Sequence, residues 1–295
     1  MRELTIALGH YPHTAPLRDG RVTSELISLK FIDYDPVSDA FDHMVREQRF
    51  DVSELAVGAF LQARAANKPI TLLPVVVVGG FHHGRLYYLP DHGTVRPADL
   101  PGRKVAIRSY SQTTGLWLRG ILLDQYGVDP DKITWVTLED SHAAEYHDPP
   151  NTERAADGAK LIQMLKDGSV AAAALGRNGA PGTETVIPDV RAAETEFYQR
   201  FKTTGINHMV SVRDDIAADE DLTREIFRMF RAAHTLVLGE NGTRVSADGM
   251  PSPVREGMGS VRTALVLAVK YAEHQRLIPS APAMDTLFPA YLLEG

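Results

Sequence analysis

Cysteine is absent from this chain, which excludes disulfides, thiolate metal centres and thiol nucleophiles. No stretch of Lys and Arg is dense enough to track a phosphate backbone. With 31 basic against 38 acidic residues the formal charge is −7, so no nucleic-acid partner is expected. The longest apolar run, around Ile70 to Val78, is too short to cross a bilayer and contains Pro74, and no membrane segment is expected. Nor does an apolar signal region precede the first strand pattern at Leu4–Leu8, which makes a cytoplasmic location the expectation. What remains is ordinary globular composition, 44% hydrophobic and 23% charged, enough for a large core. A length of 295 residues exceeds that of a usual single domain and predicts two lobes.

Strand and helix signals alternate along the first hundred residues. Leu4–Leu8 and Ile27–Ile32 read as strands, a helix follows from about Pro36 to Gln48 with Asp35 as N-cap, then a short strand at Phe50–Val52 and a helix from about Leu55 to Ala66. A β-type segment, Leu72–Val78 and Arg85–Leu89 around Gly79-Gly80, leads to the turn-rich Pro97–Gly102. A second α/β unit then opens with a strand at Lys104–Arg108, a polar turn at Ser109–Thr114, and a helix from about Gly115 to Tyr126 stopped by Gly127. Strands at Ile133–Leu138 and Val170–Leu175 and a helix at Gly158–Lys166 continue it. The pattern closes with a strand at His208–Val212 and helices over Leu222–Leu238 and Val261–Ala272. Such alternation predicts a mainly parallel sheet covered by helices. The polar segment Ala143–Ala156 reads as a loop long enough to be functional.

Several segments in order carry a resemblance: Leu17–Val22, Phe50–Leu55, Trp117–Leu122 before Asp124–Val128, Val186–Ala192, His208 ahead of a strand, and Tyr271–Gln275 before Leu287-Phe288-Pro289. Together they resemble the 4,5-dihydroxyphthalate decarboxylase family, of the type II periplasmic-binding-protein superfamily. The resemblance implies a two-lobed α/β fold with an interlobe cleft, lobe I comprising residues 1–100 and 206–295 and lobe II residues 101–205. Two crossing segments would join the lobes near 75–100 and 203–212. It also implies a decarboxylase of a hydroxylated aromatic carboxylate. Two stretches depart from the family pattern: Phe81-His82-His83-Gly84 stands where the family tends to read Phe-Arg-His-Ser, and the turn after Arg108 differs as well. The exact substrate is left open. Neighbouring superfamily members include transport receptors, so a non-catalytic binding protein for a small carboxylate is the alternative.

Ligands of open α/β sheets sit beyond the carboxyl ends of strands, which directs attention to His10, Ser53, Glu54, the Ser109–Thr114 turn and Arg177. Ser109, Ser111, Gln112, Thr113 and Thr114 at a helix start suit an anion, although ordinary N-capping gives the same residues. Arg177, after a buried strand, is placed for a carboxylate. Loss of CO2 from a hydroxylated ring requires protonation of the carbon that carries the carboxylate, hence a positioned acid and no organic cofactor. Histidine is the natural acid near neutral pH. His83 and His208 are the candidates, His83 the preferred one, with Glu54 holding a histidine or accepting a hydroxyl proton. His82, next to His83, should face the other way and is assigned to substrate binding. His10, His13 and His83 leave room for a divalent metal, but no metal motif supports one. The expected partner is a small aromatic carboxylate, with a homo-oligomer left open.

Overall fold

The structure is a computed structural model and describes residues 1–239, 250 and 252–293. Strand β1 (Arg2–Ala7) turns Leu4 and Ile6 inward and is followed by a short helix, α1 (Ala15–Arg18), and by β2 (Ile27–Phe31). Helix α2 (Asp39–Glu47) buries Phe41, Met44 and Val45, the i, i+3, i+4 face expected of a helix lying on a sheet. It starts at Asp39 rather than at Pro36, with Asp39 and Asp42 in its first turn, where the helix dipole favours carboxylates. Strand β3 (Val52–Ala56) runs without a break into α3 (Val57–Ala65). Ser53 and Glu54 are therefore strand residues, not the turn their polarity predicts. β4 (Ile70–Gly80) is buried over most of its length and carries the chain to the second lobe.

The second lobe takes β5 (Leu86–Tyr88), β6 (Lys104–Ile107), α4 (Thr113–Tyr126), β7 (Thr134–Thr137), β8 (Thr152–Arg154), α5 (Leu161–Lys166), β9 (Ala172–Ala174), β10 (Glu184–Thr185) and α6 (Val190–Phe201). Gly127 ends α4 in the left-handed conformation at φ 62°, as a C-terminal glycine should. β5 already pairs with β9, so the change of sheet occurs before residue 86 and not at 100. The chain returns through β11 (Gly205–Arg213), α7 (Asp214–Ala217), α8 (Glu220–Leu238), β12 (Arg255–Glu256) and α9 (Met258–His274).

Among the described residues there are two six-stranded sheets, ordered β12-β4-β11-β3-β1-β2 and β10-β5-β9-β6-β7-β8. Each is mixed rather than mainly parallel. β11 runs antiparallel between β3 and β4, because the chain re-enters the first sheet from the far lobe. One hydrophobic core includes residues of both lobes, among them Leu55, Phe60, Ile107, Leu116 and Tyr271. Across the junction Arg119 of α4 donates to Gln275 beyond α9 at 2.8 Å, and Tyr271 to Asp124 at 2.7 Å. A second connection is made by the loop after β7. Its Ser141 donates to Gln62 at 2.7 Å, His142 meets Asp42 at 2.6 Å, and Arg46 donates to the Ser141 and His142 carbonyls. No described helix is long and apolar enough to cross a membrane.

Candidate active site

The cleft-facing end of the first sheet is organised by a buried acid. Glu54 has no exposed surface, yet it accepts hydrogen bonds from the Gly9 amide at 2.9 Å, the Tyr11 hydroxyl at 2.7 Å and His208 Nδ1 at 2.6 Å. Burial pushes its carboxyl up, but His208, Gly9 and Tyr11 outweigh that and hold it below the ordinary carboxylate value. Glu54 is thus ionised and can only accept, which makes Nδ1 of His208 the donor. Nε2 of His208 has no partner among the described residues, and 17% of the side chain is exposed. Phe41 packs edge-on against the imidazole with centroids 5.2 Å apart. Register shifts in the pairing of β11 with β4 fall on either side of His208. A bulge there lets the adjacent Asn207 and His208 both reach partly open space.

The hinge histidines part company. After β4 the chain turns through a short 3-10 segment, His83–Arg85. His82 stacks on Trp117 with centroids 6.1 Å apart and meets Asn207 at 3.3 Å, at the edge of the cleft. Burial, then the charge of Arg85, push its imidazole down to about 3, so it is neutral. His83 goes the other way, into the interior of lobe II. It is fully buried, bonded to Gln125 at 2.6 Å and packed edge-on against Phe197. This corrects the preferred assignment, since a side chain walled in by α4 and α6 does not reach a ring in the cleft.

Other expected ligands also find structural employment. Ser53 is buried within the sheet, its hydroxyl on the Glu54 carbonyl and its carbonyl taken by Ser211, so it is not a binding residue. His10 is exposed beside Asp33 at 3.2 Å. His13 is buried on the Val77 carbonyl and pushed down to about 4, chiefly by burial. His10, His13 and His83 do not converge, and among the described residues no three metal-ligating side chains do. In the turn opening lobe II, Ser109 and Ser111 bond to each other at 2.9 Å and Thr113 accepts the Gly58 amide at 3.0 Å. This seals the start of α4 against the start of α3. Gln112 and Thr114 flank the seal, half-exposed. Arg177 is exposed after β9. Sequence reasoning directs attention to the His10-Tyr11 turn but misses Asn207 and Arg85, and Asn207 is uncovered only by the bulge.

Comparison with known proteins follows the same lines. Residues 25–149 match the family described as NMT1/THI5 like. The chain is 28% identical to a 4,5-dihydroxyphthalate decarboxylase of Comamonas testosteroni, over 73% of this chain and 69% of that protein. It is 30% identical to a 4,5-dihydroxyphthalate decarboxylase of Pseudomonas putida, over 45% of this chain and 52% of that protein, about half the relative's length. Its fold is that of the periplasmic aliphatic sulphonate binding protein SsuA of Escherichia coli, with a TM-score of 0.59 at 14% identity, covering 100% of both chains. The chain is a two-lobed α/β protein of the type II periplasmic-binding-protein fold, similar in sequence to 4,5-dihydroxyphthalate decarboxylases.

Proposed function

We propose that the chain is a carboxy-lyase that needs no organic cofactor and removes CO2 from a hydroxylated aromatic carboxylate in the interlobe cleft, with His208 as the acid. The Glu54–His208 pair carries this reading, since its imidazole is tied at Nδ1 and open at Nε2. Doubly protonated, His208 delivers its Nε2 proton to the ring carbon bearing the carboxylate, at which point the ring loses aromaticity. The bond to the carboxylate then breaks, its electron pair restores the ring, and CO2 departs. Water returns the proton to Nε2. Glu54 stabilises the imidazolium and fixes its orientation, as buried carboxylates do for catalytic histidines. The names of the two relatives support the substrate class.

The fold of a sulphonate binding protein favours a second reading, a protein that binds a small anion and releases it unchanged. Incubation with 4,5-dihydroxyphthalate in D2O separates the two. A lyase releases CO2 and leaves one deuterium on the vacated carbon. Binding without turnover, across a panel of dihydroxylated benzoates and phthalates, would discard the decarboxylase reading.

A further inference from the structure

The cleft edge of lobe II carries two guanidinium groups, Arg85 and Arg177, for which no ion pair is seen among the described residues, Glu194 acting on Arg85 only through its charge. β9 runs antiparallel to β5, Leu86 opposite Ala174, and the Leu175 amide donates to the Arg85 carbonyl at 3.0 Å. Arg85, entering β5, and Arg177, leaving β9, therefore emerge at the same edge. That edge also holds Ser109, because β9 and β6 run parallel. The Tyr87 hydroxyl donates to the Arg177 carbonyl at 2.8 Å and pins the backbone there. A side chain at Gly80 would put its Cβ 3.9 Å from Arg177 Nη2, which locates this guanidinium over the hinge strand. Neither Arg85 nor Arg177 is ion-paired or hydrogen-bonded through its guanidinium among the described residues. Half-burial, then the charge of Arg177, depress Arg85 from its usual value, against smaller opposing effects of Tyr87 and Glu194. Beside them lie neutral His82 and Asn207, and Asn207 is the chain neighbour of His208.

Two guanidiniums at one edge, neither hydrogen-bonded to a carboxylate among the described residues, repel each other, and a bridging carboxylate offsets that repulsion while accepting hydrogen bonds from both. We infer that Arg85 and Arg177 form a clamp for one carboxylate of the ligand at the hinge end of the cleft, Arg85 being a specificity-determining residue. The inference rests on the reading of the cleft as a lyase site for the identity of the ring, but not for the anion.

The test is calorimetric binding of phthalate, succinate and catechol to the whole chain and to Arg85→Gln, Arg177→Gln, the double variant and Arg85→Lys, each first shown to keep the parent's thermal midpoint. Loss of each guanidinium weakens phthalate and succinate about tenfold or more. The double variant binds neither, Arg85→Lys retains part of the affinity, and any binding of catechol is unchanged. Carboxylate affinity unaltered in the double variant overturns the clamp, even if turnover persists and the lyase reading stands. Failure of the parent to bind either carboxylate overturns it too. Arginine-dependent binding of succinate with no binding of phthalate sustains the clamp and overturns the lyase reading.

Discussion

Glu54 and His208 touch at 2.6 Å, and while the histidine keeps 17% of its side chain exposed, the glutamate keeps none. Within the pair the exposed surface belongs to the imidazole alone. Under the proposed mechanism Glu54 is a positioning residue. Glu54→Gln keeps the volume but removes the charge that stabilises the imidazolium, and turnover falls about 10²–10⁴-fold. The KM changes little, and the ¹⁵N shift of His208 Nδ1 moves. An unchanged Nδ1 signal with full turnover would contradict the coupling.

His83 and His208 should separate cleanly on substitution. His83→Ala orphans Gln125 and leaves a cavity against Phe197, costing about 2 kcal/mol or more in urea unfolding, but each folded molecule turns over at nearly the parent rate. His208→Ala does the reverse, losing turnover with little change in stability. Loss of turnover by folded His83→Ala would return the acid role to His83.

Acid should unfold this protein earlier than its carboxylates alone require. His82 is held down to about 3, and His13 and His83 to about 4, mainly by burial. Below the ordinary histidine value of about 6.5 the unfolded chain binds protons that the folded chain refuses, so stability declines as pH falls from there towards 4. Each group contributes on the order of 1 kcal/mol per pH unit in that window. Glu54, held low instead, adds its loss only below the ordinary carboxylate range. Denaturant midpoints should hold nearly level from pH 7.5 to about 6.5 and fall steadily from there to pH 5, and a flat profile below pH 6.5 would be incompatible with three neutral buried histidines.

Gly58 is a lever on lobe contact. A Cβ at this position would lie 2.8 Å from the Ser111 carbonyl and 3.1 Å from Thr113 Oγ1. Backbone cannot yield as a flexible side chain does, so Gly58→Ala wedges the start of α3 away from the turn opening lobe II. Small-angle scattering should show a larger radius of gyration and ligand affinity should drop several-fold, because closure is what excludes water. An unaltered radius together with unaltered affinity would mean that this contact does not set the closed geometry.

Much of the architecture was legible because helices and buried strands advertise themselves locally. The apolar spacing of α8 and α9 predicted their faces, and Gly127 predicted the end of α4. The site was legible in part. Glu54 and His208 stood out as residue types, but their pairing spans 154 positions and leaves no periodic trace. The same long-range satisfaction makes Ser53-Glu54 look like a turn, since polar residues in a buried strand are tolerated only when distant partners answer them. His82 and His83 were misranked because the 3-10 turn after β4 aims them by its own geometry, and the alternation rule for strands says nothing about which of two neighbours faces a cleft.

The place of β11 in the first sheet has a consequence for the newborn chain. β11 separates β3 from β4 and pairs with both, so during synthesis each of those strands waits with an open edge until residue 213 has emerged. Lobe II, complete in one stretch, is free to fold before the lobe that precedes it, reversing the usual amino-terminal-first order of translation. In that order Glu54 meets its His208 partner only once β11 has emerged, 154 positions further along the chain.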